Sequence, residues 1–420
     1  MATASAIRIE DLAAPRYSET ARQIIDMVGA TAVDISVDAL YRAAAEPLGD
    51  IELYRDDGLL ERIGCVCDAL NADTHLSAFG RVTLHAILTR YLVQRCRLED
   101  LYRRHPEIDE LEITRPIIIA GLPRSGTTHM LNLISVDDRL RSLRYWESLE
   151  PIPTTSEQQL AEGQEDPRIQ RCRDQLEIQD QMMPLFKNMH EMHADHIHEE
   201  IELMGMDFSM SLFDTYALVP GWRDYYLSHD QTPHYRFLVR ALKALQWLRG
   251  PERWILKSPQ HMEQLIPLQT VFPDATFVLP HRDPVSVITS MLTMQTYVGR
   301  MSRDPVRPHQ IGDYWADRIT RMLRQCATDR DQLPAEQTLD IMFDEFMADD
   351  VGTIERIYAL AGLPMTAGVR AAMDQYLVDN PRGKHGRIVY DLKGDFAMDP
   401  AQLREQLAFY YQKFSVRIEA

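Results

Sequence analysis

Residues that could bind an anion are concentrated in residues 115–130, which read RPIIIAGLPRSGTTHM. The three isoleucines at 117–119 form a β-branched run that is typical of a short strand buried on both faces. Gly121 and Gly126 then enclose a turn that carries one cation, Arg124, and an apolar pattern with helical spacing follows. At the start of such a helix, backbone N–H groups lack intrahelical partners and the helix dipole favours negative charge. The stretch therefore predicts a strand–loop–helix cradle for a phosphate or a similar anion.

The spacing of the two glycines, with a threonine at position 128, matches a nucleotide-binding P-loop. One departure is that Thr127 stands where P-loop ATPases place a lysine on the β- and γ-phosphates. ATP hydrolysis is therefore disfavoured, while binding of a charged nucleotide end group is still expected. The alternative is an ordinary strand–turn–helix in which the glycines serve only the turn. The residues predicted to form the cradle are Pro123, Arg124, Ser125, Gly126, Thr127 and Thr128.

Residues 121–128, GLPRSGTT, resemble the 5′-phosphosulfate-binding loop of the sulfotransferases, which use 3′-phosphoadenosine 5′-phosphosulfate (PAPS) as donor. The Arg-Ser-Gly-Thr-Thr form resembles the bacterial sulfotransferase-family proteins and the tyrosylprotein sulfotransferases. The cytosolic phenol and steroid enzymes usually carry lysine in place of Arg124. The resemblance extends over most of residues 55–415 and implies a PAPS donor and a P-loop-like fold.

Arg282 and Ser290 form a second candidate for phosphate binding. Arg282 stands at the end of a predicted strand, and Ser290 lies about two helical turns into the next helix, so a guanidinium and a hydroxyl could grip one phosphate. In sulfotransferases, an arginine and a serine eight residues later bind the 3′-phosphate of the donor, and the resemblance implies this role for the pair. The alternative is that Arg282 pairs with Asp283 or with a surface carboxylate.

Two cations are implicated in catalysis by the same resemblance. Lys257 follows an apolar strand pattern and matches the strand-end lysine of the tyrosylprotein enzymes. Its implied role is to neutralise charge on the transferring sulfuryl group and the leaving phosphate, with Arg124 acting from the loop side. The alternative for Lys257 is an ordinary surface lysine with a buried stem.

A basic, glycine-spaced segment lies late in the chain at residues 380–387, NPRGKHGR. It resembles the loop of the sulfotransferase family that folds over the 3′-phosphate and adenosine of the donor. The resemblance implies that Arg382, Gly383 and Lys384 bind the donor, and the alternative is a flexible surface turn.

The acceptor hydroxyl must lose its proton, and two parts of the chain offer a base. Related families place a glutamate shortly past the loop, and Glu147, 23 residues after Arg124, is the predicted general base. Its alternative role is that of a carboxylate at a helix end. The segment 190–200 is rich in histidine and acidic residues, and histidine is suited to proton transfer near neutral pH. The candidates in that segment are His196, His198 and Glu200.

Composition limits the classes of partner. The formal net charge of −18 argues against nucleic acid or an anionic membrane as the main partner. Residues 1–20 contain no apolar signal segment, no apolar run is long enough to span a membrane, and five cysteines show no framework spacing, which together predict a cytoplasmic protein. Three histidines between 193 and 198 would suit zinc, but their spacing matches no standard site, so no metal is expected.

Apolar strand patterns at residues 117–119, 254–257, 276–279 and 338–343 alternate with helical patterns, which predicts a parallel sheet with ligands at the carboxyl ends of its strands. The predicted class is α/β, a P-loop-like three-layer fold with a central, mainly parallel sheet. The predicted divisions are a helical N-terminal section at 1–110, a catalytic domain at 111–420 and, within it, a helical acceptor-side insertion at 157–250.

The sequence therefore resembles a bacterial-type sulfotransferase that moves a sulfuryl group from PAPS to a hydroxyl of a small-molecule or lipid-like acceptor by in-line displacement. An apolar or aromatic acceptor is expected, and the methionines between residues 182 and 210 serve either core packing or the lining of its pocket. Two other classes stay open, a P-loop kinase of a small metabolite and a nucleotide-binding protein without activity. A homodimer also stays open.

Overall fold

Strands and helices are both present in this computed structural model, and the helices predominate. The structure describes residues 6–161, 163–250, 253–382, 384 and 386–419. Its strands are β1 (Ala6–Arg8), β2 (Ile117–Ile119), β3 (Leu140–Arg141), β4 (Leu143–Arg144), β5 (Ile197–His198), β6 (Arg253–Lys257), β7 (Thr276–His281), β8 (Thr338–Met342) and β9 (Arg387–Val389).

The helices surround these strands, and those among the described residues are too short or too polar to act as membrane spans. They are α1 (Glu19–Gly29), α2 (Val37–Leu48), α3 (Asp57–Ala72), α4 (Ala78–Arg104), α5 (Thr127–Ile134), α6 (Tyr145–Leu149), α7 (Pro167–Met182), α8 (Ile201–Gly205), α9 (Phe213–Tyr216), α10 (Pro220–Ser228), α11 (Thr232–Arg249), α12 (Leu265–Val271), α13 (Pro284–Val298), α14 (Pro308–Asp329), α15 (Phe343–Ala348), α16 (Asp350–Ala361), α17 (Ala367–Asp379), α18 (Leu392–Phe396), α19 (Pro400–Gln406) and α20 (Ala408–Phe414).

Five parallel strands form the central sheet in the order β3, β6, β2, β7, β8. Successive residues of β2 face opposite sides of this sheet: Ile117 and Ile119 belong to one hydrophobic core and Ile118 to the other. Because both faces are covered, the central strand β2 is apolar throughout instead of alternating with polar residues. The predicted three-layer α/β fold with a mainly parallel sheet is confirmed.

Helices form the outer layers on the two faces of the sheet. On one side, α5 and α17 contribute Met130 and Met373 to the core beneath the loop strand. On the other side, α11 and α13 contribute Leu242 and Ile288 to a larger core that also includes residues of α2, α3 and α4. The carboxyl edge of the sheet, where the predicted site lies, is therefore fixed from both faces.

The helices ahead of the sheet begin at side chains that suit a helix N-terminus. Ser18, Ser36, Asp56 and Ser77 each accept a hydrogen bond from a backbone N–H in the first turn of α1 to α4. These caps explain why the polar sequence between the helices folds into short, defined connections. The division of the chain into a helical N-terminal section, a catalytic domain and an insertion stays a prediction.

Several short pairings were not predicted from the sequence. Strand β3 extends the sheet beyond β6, and β4 pairs antiparallel with β5, which lies in the segment 157–250 where no strand was expected. Strand β1 pairs in parallel with β9, so that Ile7 lies opposite Ile388. Each of these strands has only two or three residues, which is too few for a periodic pattern to be recognised.

Gly80 of α4 lies directly against the backbone of Ser302, and a Cβ at position 80 would overlap the Ser302 carbonyl group. We expect Gly80→Ala to lower the free energy of unfolding by about 1–3 kcal/mol, the usual cost of overpacking. Gly221→Ala is the matched control, because a Cβ there meets nothing within 4 Å and alanine favours the helix α10. Urea denaturation measures both variants, and equal stabilities would contradict this packing.

Candidate active site

The loop after β2 depends on two glycines. A Cβ at Gly121 would lie 2.9 Å from Cγ2 of Thr127 and 3.0 Å from Cδ of Pro280, so a larger residue would push the loop apart. Gly126 has a φ of 85°, in the left-handed region that favours glycine, and is the N-cap of α5. Arg124 also has a positive φ, 69°, a conformation that is uncommon outside glycine and is often found at functional sites. The predicted strand–loop–helix is present.

The N-terminus of α5 is suited to an anion. Within the described residues, no side chain caps this helix, so the N–H groups of its first turn keep their capacity to bind a ligand. Ser125 instead stabilises the loop, since its N–H and hydroxyl donate to the Leu122 carbonyl over 3.3 and 2.6 Å. Thr127 is buried and can offer its backbone N–H, whereas Thr128 is partly exposed and can add its hydroxyl.

Arg124 extends from the loop to α13. Its Nε donates to Ser290 Oγ over 3.0 Å, and its Nη1 donates to the carbonyl of Met189. Nη2 lies 3.5 Å from the hydroxyl of Tyr390. The structure therefore brings together Arg124 and Ser290, two residues that the sequence analysis placed at opposite ends of one nucleotide.

Arg282 follows β7 directly and contacts the same loop. Its Nη1 donates to the backbone carbonyl of Arg124, and its guanidinium lies 4.1 Å from the centroid of the Phe343 ring. Glu419 accepts from its Nε and Nη2 over 2.6 and 2.7 Å, a bidentate geometry that arginine also uses with phosphate. Arg282 thus pairs with a carboxylate, as the alternative interpretation expected, but Asp283 is not the partner because its side chain caps α13.

Lys257 is the last residue of β6 and is 2% exposed. It lies opposite Ile119, the last residue of β2, so it emerges at the same edge of the sheet as the loop. Its ammonium group forms an ion pair with Glu199, and its backbone N–H donates to Glu200 over 2.8 Å. Burial would raise the pKa of Glu200, but His261 and the Lys257 N–H outweigh burial and lower that pKa. A buried, charged carboxylate therefore anchors the end of β6.

Three histidines of the segment 190–200 form a cluster beside Lys257. The ring centroids of His190 and His196 are 5.6 Å apart, and those of His196 and His198 are 6.3 Å apart. Burial, assisted by nearby positive charge, lowers the pKa to about 4 for His190, to about 2 for His196 and well below the ordinary value for His198. All three rings are therefore uncharged at neutral pH. No group of three or more potential metal ligands is found among the residues that the structure describes.

A cavity of about 610 Å³ adjoins the loop and the histidines, within the size range of small-molecule sites. Pro123, His190, His198 and Glu199 are among its lining residues. The rest of the wall is mainly apolar, and α1, α4, α7, α13 and α14 contribute much of it. Of the two predicted histidine bases, His198 lines the cavity, whereas the described lining does not include His196.

Glu147 lies apart from this cavity. Its carboxylate is 1% exposed and accepts hydrogen bonds from Arg141 over 2.9 Å and from Arg249 over 3.1 Å. The described lining of the cavity includes Tyr145 and Leu149 of the same helix but not Glu147. Because two arginines bind this carboxylate and the described lining excludes it, the structure favours the alternative, structural role for Glu147.

The late basic segment contacts acidic residues. Lys384 forms an ion pair with Glu191 over 2.8 Å, and Arg382 pairs with Asp350. Gly383 lies outside the described residues. The assignment of these three residues to the donor stays a prediction.

Three residues that the sequence analysis did not select contact the predicted ones: Glu199 binds Lys257, Tyr390 approaches Arg124, and Glu419 binds Arg282. Glu199 had a usable signal, because it lies next to Glu200 in the acidic, histidine-rich segment. The other two are separated from their partners by more than a hundred residues and carry no local pattern.

The comparisons with known proteins agree on one family. A model of the Sulfotransferase family matches residues 116–367, more than half of the chain. In the comparison with curated proteins, none matches the chain. Sulfotransferase STF9 from Mycobacterium avium is similar in structure, with a TM-score of 0.80 and 26% identity over 92% of this chain and 98% of that chain. Sulfotransferase STF1 from Mycobacterium tuberculosis H37Rv has a TM-score of 0.77 and 25% identity over 90% of this chain and 100% of that chain. The chain belongs to the sulfotransferase family and is a transferase of sulfuryl groups.

The histidine cluster makes the fold sensitive to acid. The pKa values of His190 and His196 are lower in the folded chain than the ordinary 6.5, so below pH 6.5 the unfolded chain binds more protons than the folded one. The free energy of unfolding is therefore expected to be highest above pH 6.5 and to decline as the pH falls towards 4. Urea unfolding between about pH 7 and 5 measures this decline. His196→Gln should show a shallower decline, and an equally steep one would contradict the role of this ring.

Proposed function

We propose that the donor is PAPS, bound along the carboxyl edge of the sheet. The observation that carries this proposal is a continuous set of contacts, from Ser290 to the Arg124 side chain over 3.0 Å and from the Arg124 carbonyl to Arg282. A nucleotide with a charged group at each end would place its 5′-phosphosulfate on the N-terminus of α5 and its 3′-phosphate on Arg282 and Ser290. Ligands of open parallel sheets generally bind at this edge.

The reaction is proposed to be an in-line displacement at sulfur. Negative charge develops on the oxygen that leaves with the 5′-phosphate, and catalysis then depends on positioning and on fixed cations. Arg124 comes from the loop and Lys257 from the neighbouring strand end, so the leaving oxygen would lie between two positive charges. Because loop and strand are part of the same sheet edge, these charges are positioned before the reaction starts.

The acceptor is proposed to be an apolar or aromatic small molecule, or a lipid-like one, that carries a hydroxyl group. The mainly apolar cavity of about 610 Å³ supports this proposal, because it would bind the body of such a molecule by burying its surface. Pro123 of the loop and Glu199, the partner of Lys257, both line it, so a hydroxyl placed beside them would lie near the sulfuryl group.

Titration with adenosine 3′,5′-bisphosphate, the spent donor, and with ATP tests the donor assignment. We expect the bisphosphate to bind at least about tenfold more tightly. ATP has no 3′-phosphate for Arg282, and this loop lacks the lysine that P-loop proteins place on the phosphates of ATP. Arg124→Ala and Lys257→Ala should each lower the transfer of labelled sulfate from PAPS by about 10²–10³. The exposed Lys393→Ala is the matched control for loss of one positive charge. Tighter binding of ATP than of the bisphosphate would contradict the proposal.

Glu419 occupies the guanidinium that the 3′-phosphate would use, so the donor must displace it. Both partners are partly exposed, and such ion pairs contribute about 1 kcal/mol or less. Glu419→Gln is therefore expected to strengthen bisphosphate binding by about two- to fivefold. The exposed Glu405→Gln removes the same charge elsewhere and should leave affinity unchanged. Isothermal calorimetry measures both, and weaker binding by the Glu419 variant would show that Arg282 is not a phosphate ligand.

A further inference from the structure

Glu199 contacts both the proposed donor site and the cavity proposed for the acceptor. It follows β5 directly, lines the cavity and forms an ion pair with Lys257. Its side chain is 17% exposed, while that of Lys257 is 2% exposed. One carboxylate therefore contacts the buried cation of the donor site and also borders the space proposed for the acceptor.

The other carboxylates in the described lining of the cavity have different partners. Glu202 accepts hydrogen bonds from Arg90, over 3.2 Å, and from two tyrosines. Asp214 accepts from Arg318, over 2.9 Å, and from a tyrosine. These partners belong to the permanent structure of the helices, so neither carboxylate would change its environment when a donor binds. Glu199 differs because its partner is the lysine that the donor requires.

The two histidines that also line the cavity are less suited to accept a proton. Burial lowers the pKa of His190 to about 4 and that of His198 well below its ordinary value. A base becomes less effective as its pKa falls below the working pH. A carboxylate shows the opposite behaviour, because burial and the loss of a neighbouring cation both raise its pKa.

We propose that Glu199 is the general base that takes the proton of the acceptor hydroxyl, an inference that rests on the proposed function. The acceptor O–H bond breaks as its proton passes to a carboxylate oxygen of Glu199, and the acceptor oxygen forms a bond to sulfur. The bond between sulfur and the bridging oxygen breaks, and its electron pair stays on the 5′-phosphate beside Arg124 and Lys257. Glu199 later returns the proton to water.

The same contact couples donor binding to activation of the acceptor. Without an anion, Lys257 neutralises Glu199 through their ion pair. When the phosphosulfate group attracts the ammonium of Lys257, the carboxylate loses its partner and can accept a hydrogen bond from the acceptor hydroxyl. Glu199 then accepts a proton only in the presence of the donor, and it also competes with the donor for Lys257.

Glu199→Gln tests this pair of roles, because glutamine keeps the shape of the side chain and removes its charge. We expect transfer from PAPS to phenol and to cyclohexanol to fall by about 10²–10⁴, with a much smaller loss for 4-nitrophenol, which is a far stronger acid and already partly ionised near neutral pH. The variant should bind adenosine 3′,5′-bisphosphate as tightly as the unaltered protein or more tightly, because Lys257 is released. A residue with only a structural role would not give slower transfer together with undiminished donor affinity.

Asp195→Asn is the matched control, because this exposed carboxylate lies in the same segment. It should leave both transfer and affinity unchanged. Undiminished transfer by Glu199→Gln, or an equal loss with all three acceptors, would overturn the assignment while leaving PAPS as donor. Weaker binding of the bisphosphate by this variant would overturn it as well. If the unaltered protein transfers sulfate to none of the three acceptors and does not bind the bisphosphate, the proposed function fails together with this inference.

Discussion

Three cations lie close together at the carboxyl edge of the sheet in a protein whose formal net charge is −18, and the site depends on keeping them there. Arg124, Lys257 and Arg282 repel one another, and Lys257 is nearly removed from water, which is costly without a partner. Each therefore has an acceptor of its own: the Met189 carbonyl and Ser290 for Arg124, Glu199 for Lys257 and Glu419 for Arg282. Groups of the chain itself thus occupy the contacts that a bound anion would use.

These partners have a consequence for catalysis. An anionic donor would take the place of Glu199 on Lys257 and of Glu419 on Arg282. Each carboxylate would then lose its cation. Glu419 would leave the phosphate site, whereas Glu199 would remain beside the acceptor without its cation. Fixed cations are effective because they need no rearrangement in the transition state, and the buried end of β6, anchored through Glu200, supplies that rigidity.

Much of the fold could be predicted from the sequence, because local sequence patterns indicate most of the elements of the central sheet. The isoleucines of β2, the glycines of the loop and the apolar runs of β6, β7 and β8 each predict one element, and parallel strands bring their ends together. Strands β1 and β9 could not be predicted, since three residues with no periodicity pair across most of the chain.

The site shows the same division. The loop and Arg282 follow strand ends, and Lys257 ends a strand, so local patterns indicate all three. Glu419 contacts Arg282 from much later in the chain, and no local pattern predicts that contact. The base was assigned to Glu147 by resemblance, but Arg141 and Arg249 bind that carboxylate. The methionines serve both of the expected purposes, with Met204 in the core and Met183 and Met192 in the cavity wall.

A crystal structure of the complex with adenosine 3′,5′-bisphosphate measures the central claim most directly. The account predicts the 5′-phosphate within hydrogen-bonding distance of the first-turn N–H groups of α5 and near Lys257. It also predicts the 3′-phosphate on Arg282 and Ser290, with Glu419 displaced. A nucleotide bound elsewhere, or one bound with the Arg282–Glu419 ion pair intact, would contradict it.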